Sequence, residues 1–154
     1  MVVLILGSKS DIEVGNEIIT SLKEFGISYK MHIASAHKTP KYLLELLKKY
    51  EALDKQLVYI CIAGRSNALG GFVDAQTVHP VINCPPQSDK FAGLDILSSL
   101  RMPSGVASLT VLQPESAALA AAKILGLVKK VSDYQKKMKD KVIYDNSQLS
   151  KLML

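Results

Sequence analysis

Leu57-Val58-Tyr59-Ile60-Cys61-Ile62 is an uncharged, almost wholly apolar run that ends at Ala63-Gly64. A half-buried strand alternates apolar and polar residues, whereas an unbroken apolar run of this length fits a central strand covered on both faces. Outward from it lie four more short apolar runs: Val2 to Leu6, Tyr29 to Ala34, Val81-Ile82-Asn83 and Val106 to Val111. Between them, Asp11 to Phe25, Pro40 to Tyr50, Ala68 to Thr77 and Pro114 to Leu125 read as helices, with Ile12, Ile18, Ile19 and Leu22 marking an apolar face on the first. Strands alternating with helices point to βαβ units and a parallel sheet.

The expected architecture is therefore a single-domain, three-layer α/β sandwich of flavodoxin-like or Rossmann-like type over residues 1–126. A C-terminal helical extension follows over 127–154. Start signals support three of the helices: Ser10-Asp11 before the first, Thr39-Pro40 before the second, and Pro114-Glu115 at the last of the sheet-packed ones. Cys84 to Asp89 forms the one long irregular loop, stiffened by Pro85 and Pro86.

Composition narrows the function. With 154 residues, 48% hydrophobic and 21% charged, the chain suits one globular core. No segment approaches the roughly 18 uninterrupted apolar residues of a membrane span. Met1 to Leu6 has no basic leader and breaks at Gly7, so it reads as a strand, and a cytoplasmic location is expected. Cys61 and Cys84 lack metal-ligand spacing and are expected as buried free thiols, with no metal and no cofactor. The net charge of +5 lies wholly in the tail: residues 1–122 carry 11 Lys/Arg and 11 Asp/Glu, residues 123–154 carry 8 and 3. Lys129, Lys130, Lys136, Lys137, Lys139 and Lys141 spread around a helix without interleaved Arg or a groove-like grouping, so no nucleic-acid partner is expected.

Ligands of open parallel sheets bind beyond the carboxyl ends of the strands, and the polar residues gather there. Gly7-Ser8-Lys9-Ser10-Asp11 offers close backbone approach, two hydroxyls, an ammonium and a carboxylate, suited to phosphate and ribose; Ser10 and Asp11 equally suit a helix cap. It is neither a P-loop nor a dinucleotide turn, which argues against ATP and NAD. Ser35-Ala36-His37-Lys38-Thr39-Pro40 sets an imidazole, the side chain suited to proton transfer near neutral pH, beside an ammonium. His32, within a strand, and His79, before Pro80, read as structural. Ala63-Gly64-Arg65-Ser66-Asn67 offers a guanidinium, a hydroxyl and an amide for a small planar oxyanion.

Together with Ser99-Leu100-Arg101-Met102-Pro103-Ser104-Gly105, these motifs resemble the aminoimidazole ribonucleotide (AIR) carboxylase family of purine biosynthesis, in order from about residue 2 to 126. The family has two classes. One moves a carboxylate from N-carboxyaminoimidazole ribonucleotide onto the ring carbon and usually reads Ser-Ala-His-Arg in the second loop, with a second histidine in the third. Here Lys38 replaces that arginine and Arg65-Ser66-Asn67-Ala68-Leu69-Gly70 has no histidine, which resembles the class that uses carbon dioxide directly. The resemblance implies His37 as the group that handles the proton, and Ser8, Asp11 and Lys38 holding the ribose phosphate with Gly7 and Ser10 beside them. Ser35 and the stretch Gly64, Arg65, Ser66, Asn67 would face the imidazole and carboxylate. It also implies AIR, 4-carboxy-AIR (CAIR) and carbon dioxide as partners, and a homo-octamer to which the Ala117-Ala118-x-Ala120-Ala121-Ala122 helix and the final helix contribute packing.

Two rival readings differ in kind. One is the mutase class of the same family. The other is a non-catalytic flavodoxin-like or receiver-type domain, but a receiver needs an acidic residue after the third strand, where Ala63-Gly64 stands, and a flavin site needs flanking aromatics in a chain without Trp.

Overall fold

A computed structural model describes residues 1–152. Five parallel strands, β1 (Val2–Leu6), β2 (Tyr29–Ile33), β3 (Val58–Ile62), β4 (Val81–Asn83) and β5 (Leu109–Thr110), form one sheet in the order β2-β1-β3-β4-β5. The chain steps from β1 outward to β2 and then returns past β1 to β3. Loops leaving β1 and β3 therefore diverge to opposite sides and open a crevice at the carboxyl edge.

The period of two along each strand explains why β1 and β3 are apolar throughout. Val2, Leu4, Leu6, Val58, Ile60 and Ile62 face α1 (Ile12–Glu24) and α5 (Pro114–Ile124). Val3, Ile5, Tyr59 and Cys61 face α2 (Pro40–Glu51) and α3 (Leu69–Asp74). Full burial of each such side chain stabilises by about 1.5–3 kcal/mol, so these two strands fix the sheet. α2 buries Leu43, Leu46, Leu47 and Tyr50 at helical spacing. On α5, Ala117, Ala118, Ala121 and Ala122 are buried within the chain itself, and their small side chains let α1 and α5 approach closely.

Three expected elements differ. β5 is two residues rather than Val106 to Val111, because the Ala107 N–H donates to the Asp74 carboxylate (2.8 Å) and the Val106 N–H to the Pro103 carbonyl, which takes both donors from the ladder. α3 stops at Asp74 instead of Thr77, whose hydroxyl donates to Glu51 Oε1 (2.7 Å) and accepts from the His79 N–H (3.0 Å), bracketing the entry to β4. The irregular loop runs beyond Asp89: Phe91, Ala92 and Gly93 are left-handed (φ 52°, 53° and 76°) before the short helix α4 (Leu97–Leu100).

Gly126 (φ 71°) ends α5, and α6 runs from Val128 to Leu152. Its start rests on the sandwich: Val131 is buried, Tyr134 meets Phe25 with ring centroids 5.2 Å apart, and Lys130 Nζ donates to the Phe25 carbonyl (2.6 Å). Val142, Ile143, Tyr144 and Leu149 are exposed. Residues 153 and 154 of the expected extension lie outside the described residues. Among those described, no helix is long and apolar enough to cross a membrane.

Candidate active site

The loop after β1 is a capping box. Ser8 Oγ accepts the Ser10 N–H (3.2 Å), and the Asp11 carboxylate returns to accept the Ser8 N–H (2.9 Å). The cap is thus Ser8 on a short 3-10 turn over Lys9–Asp11, rather than Ser10-Asp11 on α1. Asp11 is buried, and one of its oxygens also lies 3.3 Å from Ser8 Oγ, while Ser8 and Ser10 share a hydroxyl–hydroxyl contact of 2.5 Å. Gly7 keeps this approach open: a Cβ would sit 3.1 Å from the Ala63 side chain of the neighbouring loop and would press on it.

The loop after β2 closes on itself. The Thr39 N–H donates to the Ser35 carbonyl (2.9 Å), Thr39 Oγ1 accepts the Ser35 N–H (2.9 Å), and Ser35 Oγ accepts the Lys38 N–H (3.2 Å). Thr39 stands at the N-cap of α2 as expected, but its hydroxyl closes this turn instead of capping a helix N–H, and Pro40 occupies the first helical turn. His37 and Lys38 stand exposed at the tip.

The loop after β3 is braced from elsewhere. Arg65 is left-handed (φ 58°), a conformation costing a non-glycine residue about 1–2 kcal/mol. Its N–H donates to Asp95 Oδ2 (3.2 Å). Ser98 Oγ lies 2.9 Å from the Arg65 carbonyl oxygen and accepts the Asn67 N–H (3.0 Å). The Asn67 side chain is buried, with Nδ2 donating to Ser99 Oγ (2.9 Å) and more weakly to Asn83 Oδ1 (3.4 Å). Asn83 in turn donates to Ser108 Oγ (3.0 Å). Gly70 must lack a side chain, because a Cβ would overlap Asn83 Oδ1.

These loops meet around one open cleft of about 570 Å³. Ten of the eleven expected residues line it: Gly7, Ser8, Ser10, Asp11, Ser35, His37, Lys38, Gly64, Arg65 and Ser66. Asn67 does not, since its side chain is buried behind the loop, with Nδ2 donating to Ser99 and Oδ1 left without a partner among the described residues. The cleft wall also includes Pro86, a proline that the sequence places at the crevice wall, and Gln87, Ser88, Lys90 and Asp95, which sequence reasoning did not assign. Their signal was faint: Asp95-Ile96-Leu97-Ser98 places a carboxylate and a hydroxyl one helical turn apart, beside Gly93. Lys38, Arg65 and Lys90, set among serine hydroxyls with Asp11 deeper, suit an anionic and hydroxylated ligand, and the exposed His37 lines the same cleft.

The remaining candidates stay outside the cleft. His32 Nε2 bonds Tyr50 Oη (2.6 Å), and burial, then Lys30 and Lys49, hold its pKa below the usual value. His79 lies against Tyr59, ring centroids 6.5 Å apart. Both cysteines are buried and free, and burial pushes each thiol pKa up, that of Cys84 to about 12.

The family model for AIR carboxylase matches residues 1–143. A phosphoribosylaminoimidazole carboxylase of Treponema denticola is 49% identical, over 98% of both chains. One from Archaeoglobus fulgidus is 58% identical over 81% of this chain and 68% of its own length. The crystal structure of Treponema denticola PurE superposes with a TM-score of 0.94, covering 96% of this chain and 97% of that one at 49% identity. With the expected loops gathered on one cleft of a 2-1-3-4-5 sheet, these matches establish that the chain belongs to the AIR carboxylase family.

Proposed function

We propose that this chain carboxylates AIR directly with carbon dioxide, reversibly and without ATP, giving CAIR in purine biosynthesis. The observation that carries the reading is the convergence of His37-Lys38, at the tip of one loop, with Arg65-Ser66, in the next, on a cleft whose third loop has no second histidine. Lys38 in place of the mutase arginine points the same way.

The substrate ring is enamine-like, so its carbon is nucleophilic and attacks the carbon of carbon dioxide. A carbon–carbon bond forms, one C=O π pair moves onto oxygen, and the ring carbon briefly bears both its hydrogen and the new carboxylate. His37 removes that proton, the C–H electrons restore ring aromaticity, and the proton passes to solvent. General-base catalysis of this kind contributes about 10²–10⁴-fold. Binding does much of the rest by holding a small neutral gas beside the ring. Ser8, Asp11 and Lys38 hold the ribose phosphate, with Gly7 and Ser10 giving close approach. Ser35 and the Gly64 to Ser66 loop face the ring and the carboxylate. Asn67 contributes through its backbone and its packing.

The enzyme acts in the cytoplasm as a homo-octamer, and α6 packs its exposed apolar residues on a neighbouring subunit. Purified protein given AIR and bicarbonate, without ATP, is expected to form CAIR, followed by absorbance. Turnover only with N-carboxyaminoimidazole ribonucleotide would establish the mutase instead.

A further inference from the structure

One short segment, some thirty residues further along the chain, grips Arg65 on both sides of its peptide. The N–H goes to the Asp95 carboxylate (3.2 Å), and the carbonyl oxygen lies 2.9 Å from Ser98 Oγ. Ser98 Oγ also lies 2.7 Å from the Asp95 carbonyl, so its single proton serves one of the two carbonyls at a time while the oxygen accepts the Asn67 N–H. Asp95 and Arg65 line the same cleft.

We propose that Asp95 is a positioning residue for the carboxylation: by accepting the Arg65 N–H it holds the left-handed turn that keeps Arg65 at the cleft. The inference rests on the function proposed above. Arginine left to itself favours right-handed or extended backbone, and Arg65 is solvent-exposed, so neither burial nor packing of its own side chain holds the turn. A directed acceptor on the N–H supplies that restraint. Water could replace the bond energetically without restoring the geometry, so the loss falls on the loop and not on the fold. A misplaced loop weakens catalysis through orientation.

The test compares Asp95→Ala, Asp95→Asn, Arg65→Ala and the Asp95→Ala/Arg65→Ala double variant. Asp95→Ala is expected to lower kcat/KM about tenfold, with the melting temperature near that of the wild type. Asp95→Asn, whose amide oxygen accepts the same N–H, recovers to within about threefold. In the Arg65→Ala background, removing Asp95 costs less than about twofold more. Equal impairment of Asp95→Asn and Asp95→Ala would give the carboxylate a role through its charge or basicity in its own right and overturn the proposal. So would fully additive losses. Amide hydrogen exchange at Arg65 reads the brace without turnover: faster in Asp95→Ala, retained in Asp95→Asn. Unchanged exchange in Asp95→Ala overturns the brace, whereas a wild-type protein that fails to carboxylate AIR overturns only the function.

Discussion

The loops after β2 and β3 deliver polar side chains to the same cleft but are built in opposite ways. Ser35 to Thr39 is tied by bonds between its own residues, leaving His37 and Lys38 exposed at the tip. Gly64 to Asn67 contains a left-handed Arg65 and is held by Asp95, Ser98 and Ser99, some thirty residues further along the chain, with Asn67 buried as its anchor. A self-contained turn can change its tip residue without disturbing the fold. A braced loop makes its chemistry depend on distant residues such as Asp95, and its buried anchor Asn67 ties it to stability as well, so substitutions in the two loops separate activity from stability differently.

The sharpest way to break that contrast is at His37. His37→Asn removes the proposed base from an exposed tip whose turn is closed by Ser35 and Thr39. Turnover is expected to fall about 10²–10⁴-fold, while the melting temperature and AIR binding by calorimetry stay near wild type. Turnover that survives would take His37 out of the mechanism. A collapsed melting temperature would show that the turn is not self-contained.

Smaller in effect, and aimed at the other half of the comparison, is the pair Asn67→Ala and Ser35→Ala in denaturant titrations. Asn67→Ala removes a buried amide and leaves Ser99 and Asn83 short of a partner, an expected loss of about 2–3 kcal/mol. Ser35→Ala removes one exposed acceptor for the Lys38 N–H and should cost no more than about 1 kcal/mol. Equal losses would erase the distinction between the two loops.

That same distinction decides what could be read without coordinates. β1 and β3 were legible because both their faces are buried, which writes an unbroken apolar run into adjacent residues. The second loop was legible for a related reason: Ser35, Lys38 and Thr39 bond one another within five residues and leave His37 at the tip. The third was half legible. Gly64, Arg65 and Ser66 reach the cleft as expected, but nothing local says that Asn67 turns inward to Ser99 or that Gly70 must clear Asn83. Asp95 was missed because its partner lies thirty residues earlier, across the left-handed stretch Phe91 to Gly93. β5 was overdrawn because Asp74, itself distant, captures the Ala107 N–H.

The smallest expected effect tests how far the second loop's independence reaches back into β2. His32 lies two residues before Ala34 and bonds Tyr50 at the end of α2. Burial depresses its folded-state pKa below 6.5, with Lys30 and Lys49 adding to the effect. The unfolded chain therefore binds the proton more readily than the folded one. His32 contributes no penalty above about 6.5, and stability falls as pH drops from there through the depressed value. Thermal melts of wild type and His32→Gln between pH 7.5 and 5 should diverge only toward the acid end (a range chosen to bracket about 6.5), with the wild type losing more. His32 is partly exposed, so the difference is small. If the loop is self-contained, the protection of the Lys38 N–H by Ser35 should survive this acid loosening in hydrogen exchange. If that protection fades in step with the melt, the loop depends on β2 and α2 as its neighbour depends on Asp95, and the difference between the two loops is one of distance only.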